Sequence, residues 1–339
     1  MIGSDSIDLS LKNIWRSWFE FRKGKRVSIE MHTFQYSLEK NLYELWEDLQ
    51  NGSYRHGEYR KFVINENKRR EISVASIRDR IVHRLIYEYL EKIYDKTFIY
   101  DAWSCRKGKG LIAAIERAQG FLKPFLAVPP YSLKNGYGKP FKWVWKSDVK
   151  KFFDSVDHET LLKILAFRIK DTTTFNLLSE VINNYTAVPE TKVGMPIGNL
   201  TSQIFANVYL NELDRFVKYN LGVRSYLRYG DDFIILENDR EKLELIKGEV
   251  VGFLKNELKL TVNLKSDKII KPMQGLKFLG MKIWPFGKTL TRRNLARIRD
   301  RMGPDNISSY SGIVKRHGNR KYIRRFNWLV YEKVLVEFL

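Results

Sequence analysis

The sequence predicts an α+β fold, a small split β-α-β sheet with helices packed on one side. Three observations predict it. Residues 142–149, KWVWKSDV, alternate like a strand and run into a helix start at SVDHETLLKIL. Two apolar runs, SYLRY and FIILE, flank Gly230-Asp231-Asp232 as the arms of a hairpin. A helical stretch at 241–258 then gives way to strands near 260–264 and 276–284.

The earlier part of the chain reads in order. Phe34, Leu38, Leu42, Leu45 and Leu49 fall at helical spacing within 34–50, closed by the Asn51-Gly52 stop. YRKFVI and REISV form two short extended runs around a turn at NENK. Residues 78–93 form a helix with Ile81, Leu85, Tyr89 and Ile93 on one face. SCRKGKG is a basic glycine loop leading into the helix LIAAIERA, and 124–141, with four of the nine prolines, is a loop or hairpin. GMPIGN is a loop before a helix over 200–219. Beyond the Pro285-Phe286-Gly287 break, residues 286–339 hold thirteen Lys and Arg against four Asp and Glu, a small basic helical appendage.

Composition excludes several classes. A chain of 339 residues carries a prior of roughly two to three domains. Its 44% hydrophobic content excludes disorder as the main state. The lone Cys105 builds neither an internal disulfide nor a thiolate zinc site, and the five histidines lack ligand spacing. MIGSDSIDLS has no basic start and apolar run, and no stretch approaches the ~18 apolar residues of a membrane helix. The expectation is a soluble, cytoplasmic protein. Its 60 Lys and Arg against 39 Asp and Glu give a net charge of +21. With aromatics interleaved, that points to a nucleic acid, ahead of the plainer reading of a solvated basic surface.

The chemistry concentrates in acidic residues. Adjacent carboxylates at a hairpin tip, Asp231 and Asp232, repel each other unless a cation lies between or beside them. An ordinary Asp-containing turn is the plainer alternative. Asp148 ends the strand KWVWKSDV, and a split β-α-β sheet sets that strand end beside the hairpin. Carboxylates converging from separate strands suit a two-metal clamp for in-line attack on a phosphate. Asp157 sits where a helix N-cap belongs, and Asp154 caps or faces solvent, so neither is taken as a ligand.

From about residue 30 to 285 the chain resembles the reverse transcriptases. KRREISVASIRDRIVHRLI and DAWSCRKGKGLIAAI are similar to two fingers motifs, KSDVKKFFDSVDHETLL to motif A, GMPIGNLTSQIFANVYL to motif B and RYGDDFIIL to motif C. LKLTVNLKSDK is similar to motif D and LKFLGMKI to the primer grip. The resemblance implies a right-hand polymerase with fingers over 1–146, palm over 147–285 and helical thumb over 286–339. It also implies two Mg2+ ions, manganese being the alternative, held by Asp148, Asp231, Asp232 and the Val149 carbonyl.

Further residues follow from the same resemblance. Arg70 corresponds to the triphosphate-gripping arginine, assisted by Lys68 or Arg69. Phe153 corresponds to the steric gate that selects dNTPs, and Lys265 to the lysine that protonates departing pyrophosphate. Ile197, Gly198 and Gln203 line the nucleotide site. Arg106, Lys107 and Lys109, the Leu279-Gly280 turn, and Arg292, Arg293 and Arg297 are nucleic-acid contacts. For Phe153 a core phenylalanine is the plainer reading, for Ile197 packing against the fingers, and for the lysines surface solvation.

The motif B form, Ile197-Gly198-Asn199-Leu200-Thr201-Ser202-Gln203, resembles the enzymes of bacterial and phage diversity-generating retroelements. That group implies copying of a template-repeat RNA into an RNA–cDNA duplex, with errors opposite adenine, and a small basic helical accessory protein as partner. An antiphage-defence or other unclassified bacterial reverse transcriptase, and a catalytically silent RNA-binding scaffold, are the competing readings. Motif B and the short stretch after the primer grip fit retrons and group II introns less well.

Overall fold

The computed structural model describes residues 6–65, 69–123, 141–317 and 320–335. Residues 66–68 of the NENK turn, with Lys68, and the proline-rich segment through 140 lie outside the described residues.

Three helices open the chain, α1 (Leu11–Arg22), α2 (Ile29–Tyr36) and α3 (Leu38–Asn51). The single helix expected over 34–50 is broken at Ser37, where φ −117° and ψ 41° leave the helical region. Gly52 ends α3 with φ 69°, the left-handed closure glycine permits. Strands β1 (Arg60–Asn65) and β2 (Arg69–Val74) form an antiparallel hairpin with β1 exposed along its length. Helix α4 (Ile77–Tyr94), capped by Ser76, buries Ile81, Leu85 and Tyr89, while Ile93 is half-buried. Helix α5 (Leu111–Leu122) follows the basic loop.

The central sheet contains β3 (Trp143–Asp148), β4 (Tyr226–Tyr229), β5 (Asp232–Glu237) and β6 (Lys268–Ile270). Its order is β4-β5-β3-β6, antiparallel throughout. Between β3 and β4 run α6 (Phe152–Ser155), α7 (His158–Arg168), α8 (Thr172–Asn183) and α9 (Leu200–Arg215), the last continuing into a wide π turn. Helix α10 (Arg240–Asn256) joins β5 to the segment before β6.

Strand alternation divides the core. Trp145, Tyr226, Phe233 and Ile235 enter one cluster with α4, α7, α9 and α10. Val144, Leu227, Ile234 and Leu236 enter another with α5, β7 (Leu276–Phe278), β8 (Met281–Trp284) and β9 (Gly287–Leu290). The basic helices α11 (Arg292–Arg301), α12 (Ile307–His317) and α13 (Arg320–Val330) join that second cluster. Both sheet faces are therefore covered, which corrects the expectation of helices on one side only.

Two strand expectations also change. Residues 260–264 make a single bridge, Val149 to Val262, and the fourth strand forms at 268–270 instead. Residues 276–284 fold as a hairpin in a separate three-stranded sheet, order β7-β8-β9. Trp284 pairs with Gly287 across Pro285-Phe286, so the boundary expected at 286 falls inside a tight turn.

Candidate active site

Asp148, the last residue of β3, is the direct ladder partner of Asp232, the first of β5. Residues so opposed hold their Cβ atoms about 4.5–5.5 Å apart. Tyr229 pairs with Asp232, leaving Gly230-Asp231 as a two-residue turn. Gly230 has φ 62°, which the primed hairpin turns require at their first central position and glycine adopts without strain. Asp148, Asp231 and Asp232 are all half-buried.

The strand end is clamped from the far side. The Asn263 amide donates to the Asp148 carbonyl at 2.9 Å and the Lys150 amide to Thr261 at 2.8 Å. Those bonds flank the Val149–Val262 bridge, so the Val149 carbonyl points away from Val262. The Ser266 hydroxyl donates to Asp148 Oδ1. Lys146, two residues before Asp148 and so on the same face, places Nζ 3.2 Å from Asp232 Oδ1.

Among the described residues no three acidic, histidine or cysteine side chains close on one point as a ready-made cage. The donor set nevertheless fits Mg2+, which takes one or two carboxylates and completes its shell with phosphate and water. Hard oxygens on one sheet face, at the open end of a ladder, offer that arrangement.

The residues expected to line a nucleotide site are tied together through the backbone. The Ser73 amide of β2 donates to the Ile197 carbonyl at 3.0 Å, and Asn199 Nδ2 donates to the Ser73 carbonyl at 2.8 Å. Gly198, with φ 112°, lies against β2 so closely that a Cβ there would stand 2.8 Å from Ile72 Cγ2. Arg70 is exposed two residues away on the same hairpin. The Met195 amide donates to the Phe153 carbonyl at 2.7 Å, linking the loop to the segment after Asp148.

Lys151, with φ 47°, ends the extended run, and Phe152 and Phe153 both ride on the short α6. Phe152 is 3% exposed and Phe153 is half-buried. Gln203 is exposed on the first turn of α9. Lys265 is exposed beside Ser266. Asp157 caps α7 by accepting from the Thr160 amide, and Lys259 lies 2.8 Å from it.

The basic loop departs from expectation. Arg106 is turned inward, its side chain 10% exposed, donating to Asp95 and to the carbonyls of Ile99 and Ala102. It fastens the loop, with its guanidinium turned toward the protein and not outward as expected. Lys107 pairs with Glu91 at 2.7 Å, and Lys109 Nζ sits 3.5 and 4.1 Å from the Tyr100 and Trp103 ring centroids. Leu279 and Gly280, φ 49° and 77°, form the tight β7–β8 turn. The Gly280 carbonyl accepts from Asn294 Nδ2 at 2.9 Å and from the Thr291 amide at 3.1 Å. The turn thus docks on the start of α11, where Arg292 and Arg293 are exposed and Arg297 is half-buried.

Three residues around the carboxylates lay outside the sequence reading. The period of two places Lys146 on the Asp148 face, a signal that was available. Arg228 stands as the charge inside the apolar run SYLRY. It is fully buried against Asp214. Burial opposes its charge, but the Asp214 carboxylate outweighs that and holds the guanidinium above its ordinary pKa. Ser266 carries no sequence signal, since only the fold brings it to Asp148.

Residues 59–283 match the family model described as reverse transcriptase (RNA-dependent DNA polymerase). Protein YkfC of Escherichia coli is 27% identical over 290 residues, covering 74% of this chain and 72% of that protein. The group II intron-encoded protein LtrA of Lactococcus lactis is 22% identical over 315 residues, covering 72% of this chain and 50% of LtrA. Telomerase from Candida albicans, solved in complex with a TWJ fragment of telomeric RNA, aligns with a TM-score of 0.54 at 10% identity. That alignment covers 89% of this chain and 59% of the telomerase chain. Apo telomerase from Candida tropicalis gives 0.51 at 13% identity, over 72% and 58% of the two chains. The chain thus spans half the length of LtrA and less than three fifths of either telomerase chain. The structural likeness shows the right-hand polymerase fold. With two thirds of its length matched to one family, the chain belongs to the reverse transcriptases, the RNA-dependent DNA polymerases.

Proposed function

We propose that this chain copies a template-repeat RNA into cDNA, with errors concentrated at template adenines, as the polymerase of a diversity-generating retroelement. The observation that carries the polymerase reading is the direct pairing of Asp148 with Asp232 beside the Asp231 turn. The retroelement assignment rests on motif B, where Ile197 replaces a polar contact to the nucleotide with a branched apolar side chain.

Asp148, Asp231, Asp232 and the Val149 carbonyl hold the metal ions in this reading. When bound, the ions neutralise charge on the attacking and departing oxygens. Arg70 grips the triphosphate through its planar fork of donors. Phe153 closes the space a ribose 2′-hydroxyl needs, so an rNTP clashes and its hydroxyl goes unpaired. Lys265, exposed beside the Ser266–Asp148 contact, is the proton donor to pyrophosphate. Template RNA and the RNA–cDNA duplex lie along the Leu279-Gly280 turn and the arginines of α11. The accessory partner is a small basic helical protein.

The similarity to LtrA favours a second reading, an intron-type reverse transcriptase with the same chemistry and ordinary fidelity. Primer extension on an adenine-rich RNA template, with the products sequenced, separates the two. Misincorporation clustered at template adenines supports the retroelement reading, and uniformly accurate cDNA supports the second.

A further inference from the structure

Behind the Gly230-Asp231 turn lies a buried ion pair. Arg228 in β4 is 1% exposed and Asp214 in α9 is 0% exposed. Arg228 Nε and Nη2 donate to the two Asp214 oxygens at 2.7 and 2.6 Å. The Tyr226 hydroxyl donates to Asp214 Oδ1 at 2.7 Å. The remaining nitrogen, Nη1, reaches outward to the Gly230 carbonyl at 3.1 Å and to Asn207 Oδ1 at 3.2 Å. Asn207 in turn donates to the Ser104 carbonyl at 2.8 Å. The Arg228 backbone is itself held along one edge of β4 by residues 101–103, its amide donating to the Asp101 carbonyl and its carbonyl accepting from the Trp103 amide.

We propose that Arg228, oriented by Asp214, is a positioning residue that holds the Gly230 carbonyl and thereby aims the Asp231 carboxylate at the metal. A glycine at φ 62° places no side chain of its own against the fold, so its peptide plane needs an outside hold. Arg228 supplies one with a charged donor, and charge-assisted bonds are the stronger kind. Asp214 neutralises the guanidinium, so the brace adds no net positive charge behind a cation site. One plane fixed at Gly230 fixes the adjoining Asp231 amide, because the two share a peptide unit. The proposal rests on the reading that Asp231 holds a metal.

The test uses the full chain and Mn2+ alone, its binding followed by the loss of the free-ion EPR signal, beside primer extension. The triple variant Arg228→Met, Asp214→Leu, Tyr226→Phe removes the buried polar cluster together, which apolar replacement of similar volume tolerates in stability. Arg228→Lys is the second variant: it keeps a cation beside Asp214 and gives up the fork that spans to Gly230. Both are expected to weaken Mn2+ binding and to slow extension, each at least about tenfold, with dNTP KM changed less than threefold. Should the triple variant fail to fold, Arg228→Lys decides alone. Wild-type Mn2+ affinity in a folded variant overturns the proposal. Asp231→Asn is the control: if it binds Mn2+ and extends primers normally, the reading beneath the proposal has failed, and the brace with it.

Discussion

Lys146 and Asp232 form an ion pair across the β3–β5 ladder, Nζ to Oδ1 3.2 Å. The lysine is two residues from Asp148 on the same sheet face, so a fixed cation sits among the carboxylates. Two unit charges several ångströms apart in a partly screened site interact by about 1 kcal/mol or more. In the proposed reading, Lys146 therefore opposes a metal ion at Asp232. Lys146→Met is expected to lower the Mg2+ concentration for half-maximal synthesis by roughly fivefold, the equivalent of about 1 kcal/mol. A Mg2+ titration of primer extension measures it, and an unchanged or raised midpoint contradicts it.

Phe153 follows the buried Phe152 on α6 and is the more exposed of the two. Phe153→Ala should open the sugar side of the pocket and reduce dNTP-over-rNTP preference by roughly 10–200-fold, the range for a shape-based pocket. Competing dCTP and CTP incorporation on one template reads the ratio. An unchanged ratio returns Phe153 to the core.

Much of this site was legible because its signals are local. Alternation placed β3 and the β4–β5 hairpin, and the split β-α-β order set Asp148 beside Asp232. Helix α4 and the Asp157 cap follow from spacing and capping chemistry. Where the outcome depends on how a segment folds back on its neighbours, the reading failed. Arg106 looks like a surface charge in SCRKGKG, yet Asp95 and two carbonyls draw it inward. Pro285-Phe286-Gly287 looks like a break between domains, yet it is the turn that keeps β9 in the β7–β8 sheet. Ser266 reaches Asp148 only because residues 261–263 bond to the strand end.

The Ile197 carbonyl is bonded to Ser73, so the main chain at this position is fixed by β2 whatever side chain it carries. Ile197→Gln is thus a clean exchange of side-chain chemistry. It is expected to lower misincorporation at template adenines by about tenfold, with melting temperature within a few degrees of the parent. Sequencing of cDNA from both proteins checks this, and equal error spectra contradict it.

His83 predicts an acid-side loss of stability. Burial first, then the nearby His56 and Arg80 charges, push its pKa down to about 3. Its Nε2 lies 3.0 Å from His56 Nε2, while Nδ1 has no hydrogen-bond partner among the described residues. The unfolded chain takes up this proton near pH 6.5, whereas the folded chain resists it until about pH 3. Stability therefore falls as pH drops below about 6.5, by up to about 1.4 kcal/mol per unit, or about 2 kcal/mol at pH 5. Urea unfolding at pH 7, 6 and 5 measures the slope. His83→Gln, which keeps a donor toward His56, should flatten it by about half or more.

In the proposed reading, the Asp148, Asp231 and Asp232 cluster performs RNA-templated DNA synthesis. The most direct measurement is extension of a DNA primer on an adenine-rich RNA by the full chain with dNTPs and Mg2+, run beside Asp231→Asn. Synthesis of cDNA by the parent and a loss of at least about a hundredfold in the variant, at equal melting temperature, is the predicted result. Equal extension by both proteins contradicts the assignment of the site.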